Sequence, residues 1–485
     1  MEQHHHRKRR RLGILVGVAP IVLLVGDLLL TRARHKVPIA YDTTRATSPV
    51  NADGTIDYVA ALDAEFGNGV TDDNNAARFL VQAFGPAGLP SKHGDAVARR
   101  LHIPVPPEKG AYLVTFDDFQ AAATQPSELD LVSWPVGNLT QVAEWVKVNQ
   151  TPLNLILQAA PRPRFFMPMR AGEPQTIVSA QLPQLNRLRE SAMLLAAHTR
   201  LRAGAGDFAA ARADLQAMHR LARLLSQSPT VIGCLLGGGI EALACHTSRS
   251  IAQHANLDAV TAEPFLRDAL ALQQLSSLAQ AVDKGERYTV LECSMNVAIR
   301  GPVVTSLYGG GPTPAEHEPP GYYLVPIRHA DAMRLENATF DSLVAAYGKK
   351  TRAERTAAFQ AVTQACESAP PVLVAAAAPQ VLLSIYLPAV VQEQGNMDRV
   401  TAELRMTQIT WALTMYRLKN RKFPATLEEL SPQLLPAVPL DPFTEASFVY
   451  AWKESGYTLY SVGRNGRDDH GARTAPADDI DASTD

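Results

Sequence analysis

"DRVTAELRMTQITWALTMYRLKNRKFPATLEEL", residues 398–430, constrains what the rest of the chain must supply. At about 100° per residue, Val400, Leu404, Trp411, Met415 and Leu418 fall within about 60° of one another and make one apolar face of a helix. Met406, Ile409, Leu413 and Tyr416 make a second face roughly opposite. A helix apolar on two sides has to be covered on two sides, so the spacing predicts a helix gripped between its own sheet and a larger helical body. The sheet is read from "LDPFTEASFVYAWKESGYTLYSVG", residues 440–463. Phe448, Tyr450 and Trp452 alternate onto one face, the chain turns at "KESG" and returns through Leu459 to Val462, the pattern of a β-hairpin.

The helical body lies upstream. In "GDFAAARADLQAMHRLARLLSQ", residues 206–227, Phe208, Ala211, Leu215, Met218, Leu221 and Leu225 recur every three or four positions and form one stripe. "LPQLNRLRESAMLLAAHTRLRAG", residues 182–204, reads as a second amphipathic helix, and the short connector "AGAGDF" predicts an antiparallel pair. That pair resembles one tetratricopeptide unit over about 45 residues, without a second copy of the repeat elsewhere. In "VIGCLLGGGIEALACH", residues 231–246, Gly233 and Gly237 are read as sites of close helix approach. No Gly-Lys-Ser/Thr follows them to make a phosphate loop. Helix is expected to continue through residues 265–301, to break in a loop over 306–326, and to resume over 328–348.

Before this body, residues 32–180 read as an irregular α+β region. Thr71 is predicted to cap a helix that runs to Phe84, with Asp72 and Asp73 at its positive end. A short strand is expected within "PPEKGAYLVTFDDF" (106–119) and an extended connector at "PRPRFFMPM" (161–169). Further upstream, the basic run "HHHRKRRR" (4–11) stands directly before "LGILVGVAPIVLLVGDLLL" (12–30), apolar except for Asp27. At about 1.5 Å per residue such a helix spans the roughly 30 Å hydrocarbon layer. The excess of positive charge ahead of it predicts a single-pass signal anchor in the inner membrane, with a cytoplasmic N-terminus and an extracytoplasmic or periplasmic bulk. A second uncharged stretch, 368–392, carries four prolines, leans on alanine and has acidic flanks (Glu367, Glu393). It reads as a buried helix rather than a second span.

The expected layout is a basic tail (1–11), an anchor (12–31), an α+β region (32–180), an α-helical domain (181–395) and a terminal α+β domain (396–485). The chain is thus mainly α with α+β parts. A formal charge of -2 over 485 residues provides no basic field, which excludes nucleic acid as a partner. Cys234 and Cys245 lie on one predicted helix about 16 Å apart along its axis, too far to bond. Buried free thiols are the expected state of all four cysteines, with Cys293 and Cys366 the pair that could otherwise join.

Catalytic signatures are missing. There is no Gly-x-Ser-x-Gly, and His317-Glu318 runs into Pro319-Pro320 instead of completing a zinc-binding helix. His198, His219, His246 and His254 read as packing or surface residues, and only Glu241, Glu286 and Glu292 offer carboxylates that could converge in a helical pocket. No catalytic or cofactor-binding residue is assigned.

The ordered set "ALTMYRLKNRKFPATLEEL", "VPLDPF", "FVYAW", "YTLYSVGRNGRDD" and "DDI" resembles the periplasmic domain of the major pseudopilin of type II secretion systems. It covers about 80 residues, and the whole chain is similar to uncharacterised membrane-anchored bacterial proteins with such an ending. The resemblance implies a long helix packed on a small antiparallel sheet. It also implies a calcium site in the last loop, with Asp468, Asp469, Asp478 and Asp479 as side-chain ligands and Asn465 where the family has an aspartate. The alternative for that loop is a solvated acidic tail. About 370 residues separate the anchor from this module, and "RRRLGILVG" lacks the family's leader motif. The expected role is therefore a membrane-anchored envelope scaffold or interaction protein with protein partners, linked to a secretion or pilus-like apparatus. An envelope hydrolase or lipid-modifying enzyme and a pseudopilin proper are the alternatives.

Overall fold

The computed structural model describes residues 37–122, 140–169, 176–177, 180, 184–254, 256–300, 329–368, 377–454, 456–471 and 479–484. The expected anchor, the 306–326 loop and Asp478 lie outside them. The described chain is mostly helical with one small three-stranded antiparallel sheet.

Among the described residues six α-helices come first: α1 (Tyr58–Phe66), α2 (Ala77–Phe84), α3 (Gly94–Arg100), α4 (Phe116–Ala121), α5 (Thr140–Val148) and α6 (Gln150–Ala159). Thr71 does not cap α2. Its Oγ1 accepts from the amide of Asn74 at 3.3 Å in a preceding turn, and the helix begins only at Ala77. Asn75 fastens the start of the helix instead: its Oδ1 accepts from Ala77 N (3.1 Å) and Phe166 N (3.0 Å), while its Nδ2 donates to Phe166 O. This ties α2 to the expected connector 161–169. The strand expected within 106–119 does not form. Leu113 N instead bonds Ala83 O, Trp145 Nε1 donates to Val114 O at 2.8 Å, and Thr115 caps α4.

The body follows with α7 (Gln184–Gly204), α8 (Phe208–Leu225), α9 (Val231–Ala252), α10 (Ala259–Ala271), α11 (Arg287–Arg300), α12 (His329–Tyr347) and α13 (Arg352–Ser368). Asp207 caps α8 by accepting from Ala210 N, and all six stripe residues of α8 are buried. Arg202 near the end of α7 donates to both oxygens of Asp214 early in α8, at 3.0 Å each. Gly237 of α9 allows close approach to α8: a Cβ there would stand 2.7 Å from Ala222 O. Gly233 does not face a helix, because a Cβ there would meet Ser228 of the preceding turn. α9 is apolar and long enough to cross a bilayer, yet 61% of its most apolar window is buried among its neighbours. The helix expected through 265–301 is interrupted: α10 ends at Ala271, residues 272–277 are not helical, and a π-helical turn, Val282–Glu286, leads into α11.

The last helix, α14 (Ala377–Asn420), is 44 residues long, about 66 Å at the standard rise. It starts inside the 368–392 stretch and passes unbroken through the boundary expected at 395/396. Its two apolar faces have the two partners that their spacing requires. On one side Val400 meets Gly238, and Trp411 donates to Ser248 Oγ at 2.8 Å and stacks on Phe265 at 4.7 Å. On the other, Tyr416 OH donates to Glu429 (2.7 Å) and Tyr457 OH reaches Thr410 (3.5 Å). Between them, Arg249 Nη2 donates to Glu403 Oε2 at 2.5 Å and Nη1 to Thr407 Oγ1 at 3.0 Å, all buried.

The sheet comprises β1 (Val449–Trp452), β2 (Tyr457–Ser461) and β3 (Ile480–Asp481) in the order β1-β2-β3. Val449 faces Tyr460 and Trp452 faces Tyr457 across the hairpin, and Ser461 faces Ile480 across the second pair. Asp441, at the Asp-Pro turn, is buried. Its Oδ1 accepts from Phe443 N and its Oδ2 from Val462 N, which fastens that turn to the end of β2. One continuous apolar core contains Trp145, Leu221, Trp411, Tyr457 and Ile480, so three regions expected as separate units share it. All four cysteines are free, and burial pushes the Cys234 and Cys293 thiols up to about 12.

Candidate functional site

Among the described residues, two places bear on the site residues named from the sequence. The first is the terminal loop. Asn465, Asp468 and Asp469 lie on the turn after β2, and Asp479 stands just before β3. Asp479 Oδ2 accepts from the amides of Asp469 (3.1 Å) and Gly471 (2.8 Å), whereas its Oδ1 is buried without a hydrogen-bond partner. Burial raises the Asp479 carboxyl above its usual range, and the charges of Asp469 and Asp468 add to the rise. Asp468 is drawn towards Tyr460, whose OH donates to Oδ1 at 2.7 Å and holds the Asp468 pKa down. Asn465 donates through Nδ2 to Asp469 Oδ2 (2.8 Å) and accepts from Arg467 N. Asn465, Asp469 and Asp479 are thus brought together, and Asp468 is turned to one side. Among the described residues no three His, Cys, Asp or Glu side chains converge as a metal site. The orphaned Oδ1 of Asp479 is the one feature of the donor set that suits a hard cation.

The second place centres on Glu241, one of the three carboxylates that the sequence offers for a helical pocket, with partners that the sequence does not announce. Glu241 of α9 is buried, and its Oε2 accepts from His219 Nδ1 and from Arg223 Nη1, both of α8 and both at 3.0 Å. Burial alone would raise this carboxyl, but His219 and Arg223 outweigh it and hold the pKa below the ordinary value. An ionised Glu241 can only accept, so a neutral His219 carries its proton on Nδ1 and presents the Nε2 lone pair. Nε2 has no protein partner among the described residues.

Arg223 Nη2 also donates to Gln273 O at 2.7 Å and pins the segment after α10. A cavity of about 320 Å³ opens between α8, α9 and α10, lined by Leu215, His219, Arg220, Phe265 and Leu272 among others. A second, of about 180 Å³, lies on the other side of Glu241 and is lined by Ser276, Tyr347, Arg355 and Asp398.

Glu286 and Glu292 do not join Glu241. Glu286 accepts from Val231 N at the start of α9, and Glu292 from Ile177 N. His198 pairs with Asp214, His246 with Arg200, and His254 packs edge-on to Phe208, so these three serve the packing role expected of helical histidines. His219 is the exception. The available signal was the polar series Gln216, His219, Arg220 and Arg223 on one face of α8, beside its apolar stripe.

Comparison with protein-family models, with curated proteins and with solved structures yields no match to this chain.

Proposed function

We propose that the protein is a membrane-anchored envelope scaffold, exported beyond its N-terminal helix, which presents a helical body and a pseudopilin-like end to protein partners of a secretion or pilus-like apparatus. The observation that carries this reading is the outer strand of the terminal sheet. Among the described residues β1 has β2 on one side only, and Trp452 at its end is 54% exposed. An unpaired edge with an exposed aromatic suits strand addition by a partner. The pair α7 and α8 serves as a tetratricopeptide-like hairpin in this reading. The core shared through α14 makes the terminal module a fixed outgrowth of the body, which favours a scaffold over a pseudopilin proper.

Calcium belongs to the same proposal. Asp469, Asp479 and Asn465, with Asp468 and Asp478 as the further ligands that the resemblance implies, would hold the ion, which would offset the crowded carboxylates. Purification from membranes after crosslinking in intact cells tests the role. Recovery of secretion or pilus-like components supports it, and recovery of the protein alone on repeated trials refutes it.

A second reading, an envelope enzyme working in the helical body, is favoured by the His219–Glu241 pair. A buried carboxylate that orients an imidazole towards a cavity is the arrangement of a general base. Loss of turnover in His219→Gln, on a substrate the wild type consumes, would support it.

A further inference from the structure

The larger cavity is built as a ligand site. Its apolar walls are Leu215, Phe265, Ala269 and Leu272; Gln216, His219, Arg220 and Arg223 enter from one face of α8, with Ser248 from α9 and Asp268 from α10. The helices around it are strapped at both ends: Arg212 forks onto Asp268 at 2.6 and 2.7 Å, and Arg223 holds Gln273 O. These straps use the charges of Arg212 and Arg223 and leave Arg220 over. Arg220 is exposed, lines the cavity and has no protein partner among the described residues. The cavity-lining charges, Arg220 and Arg223 against Asp268, sum to +1, and adding the buried Glu241 with Arg212 leaves that sum unchanged. At about 320 Å³, with an apolar surface interrupted by polar side chains from all three helices, it has the size and mixed lining of a small-molecule pocket.

We propose that this cavity binds a small amphiphilic hydroxy acid, with its carboxylate on Arg220, its neighbouring hydroxyl on His219 Nε2 and its alkyl chain between Leu215, Phe265 and Leu272. Arg220 and His219 both line this cavity from α8, so one small ligand can meet the two of them. The hydroxyl donates to the imidazole lone pair that Glu241 fixes in place. The inference deepens the enzyme reading by naming its ligand class, but binding alone does not require turnover.

The test is calorimetric titration of the full-length chain in lipid nanodiscs with 3-hydroxyoctanoate, octanoate and 1-octanol, with protein-free nanodiscs subtracted. 3-Hydroxyoctanoate is expected to bind about tenfold more tightly than either analogue, because each analogue leaves one polar group of the site unmatched. Arg220→Gln, a change at an exposed side chain without partners, is expected to lose about tenfold for the acid and nothing for octanol, with Arg220→Lys recovering most of it. Octanol binding as tightly as the hydroxy acid, octanoate matching it, or Arg220→Gln binding unchanged would each overturn the assignment. Binding with these preferences but no conversion of the ligand would uphold the site and count against the enzyme reading alone.

Discussion

Replacing Arg249 with leucine should loosen the protein along α14. The guanidinium is buried and donates to Glu403 Oε2, to Glu403 O and to Thr407 Oγ1. A hydrogen bond between charged groups contributes about 1.5–3 kcal/mol and a neutral one about 1, and the leucine leaves Glu403 as a buried carboxylate with its partner gone. Breaking a buried pair from one side costs about 3–5 kcal/mol, whereas replacing both partners by apolar groups of similar volume is nearly neutral. Expressed as opening of the helix, that loss is about a hundred- to a thousandfold or more in the amide exchange of residues around 403–415. Hydrogen–deuterium exchange of the full-length chain reads it directly. The double change Arg249→Met with Glu403→Met should restore most of the protection. A single variant within about tenfold of wild type, or a double variant as unprotected as the single, would refute the role given to the pair.

Other outcomes follow from particular contacts. Gly237→Ala should destabilise by about 1–3 kcal/mol in chemical denaturation, because its Cβ would stand 2.7 Å from Ala222 O, a backbone atom that cannot turn away. Glu336 is fully buried with Ser294 donating to Oε1, and burial raises its carboxyl to about 8. Its folded pKa thus exceeds its unfolded one, so its contribution is fully present below the unfolded value and is lost as pH rises to about 8. Glu336→Gln should flatten that decline and be the more stable protein at about pH 9, and an unchanged pH profile would contradict this. Millimolar calcium should raise the melting temperature of the wild type and not of Asp479→Asn, as binding to the folded state alone requires. Equal shifts, or none, would leave the acidic tail.

The two-faced helix and its hairpin were readable because periods of 3.6 and 2 are local properties, and both survive in α14 and in β1–β2. The stripe of α8 was readable for the same reason. What escaped depends on distant residues. Thr71 offers a good local cap, but the helix starts later, after Asn75, whose side chain is held by the backbone of Phe166, 91 positions on. β3 is two residues long, too short for any period, and exists because Ser461 and Tyr460 offer it partners. The break after Ala271 is held by Arg223 from another helix, as is Glu241, whose spacing to His219 carries no pattern that a single helix could announce. In the terminal loop the acidic composition was evident, but which carboxylate is buried was not. That is settled by the amides of Asp469 and Gly471 closing on Asp479.

The scaffold role is tested most directly by placing a photo-crosslinking amino acid at Trp452, 54% exposed on the outer edge of β1, and at Val260, 81% exposed on the helical body, in intact cells. A scaffold of this kind gives adducts to a component of a secretion or pilus-like apparatus from position 452, formed outside the cytoplasmic membrane, and none of the same from position 260. Identical adducts at both positions, no adduct at 452, or adducts only to cytoplasmic proteins would contradict it.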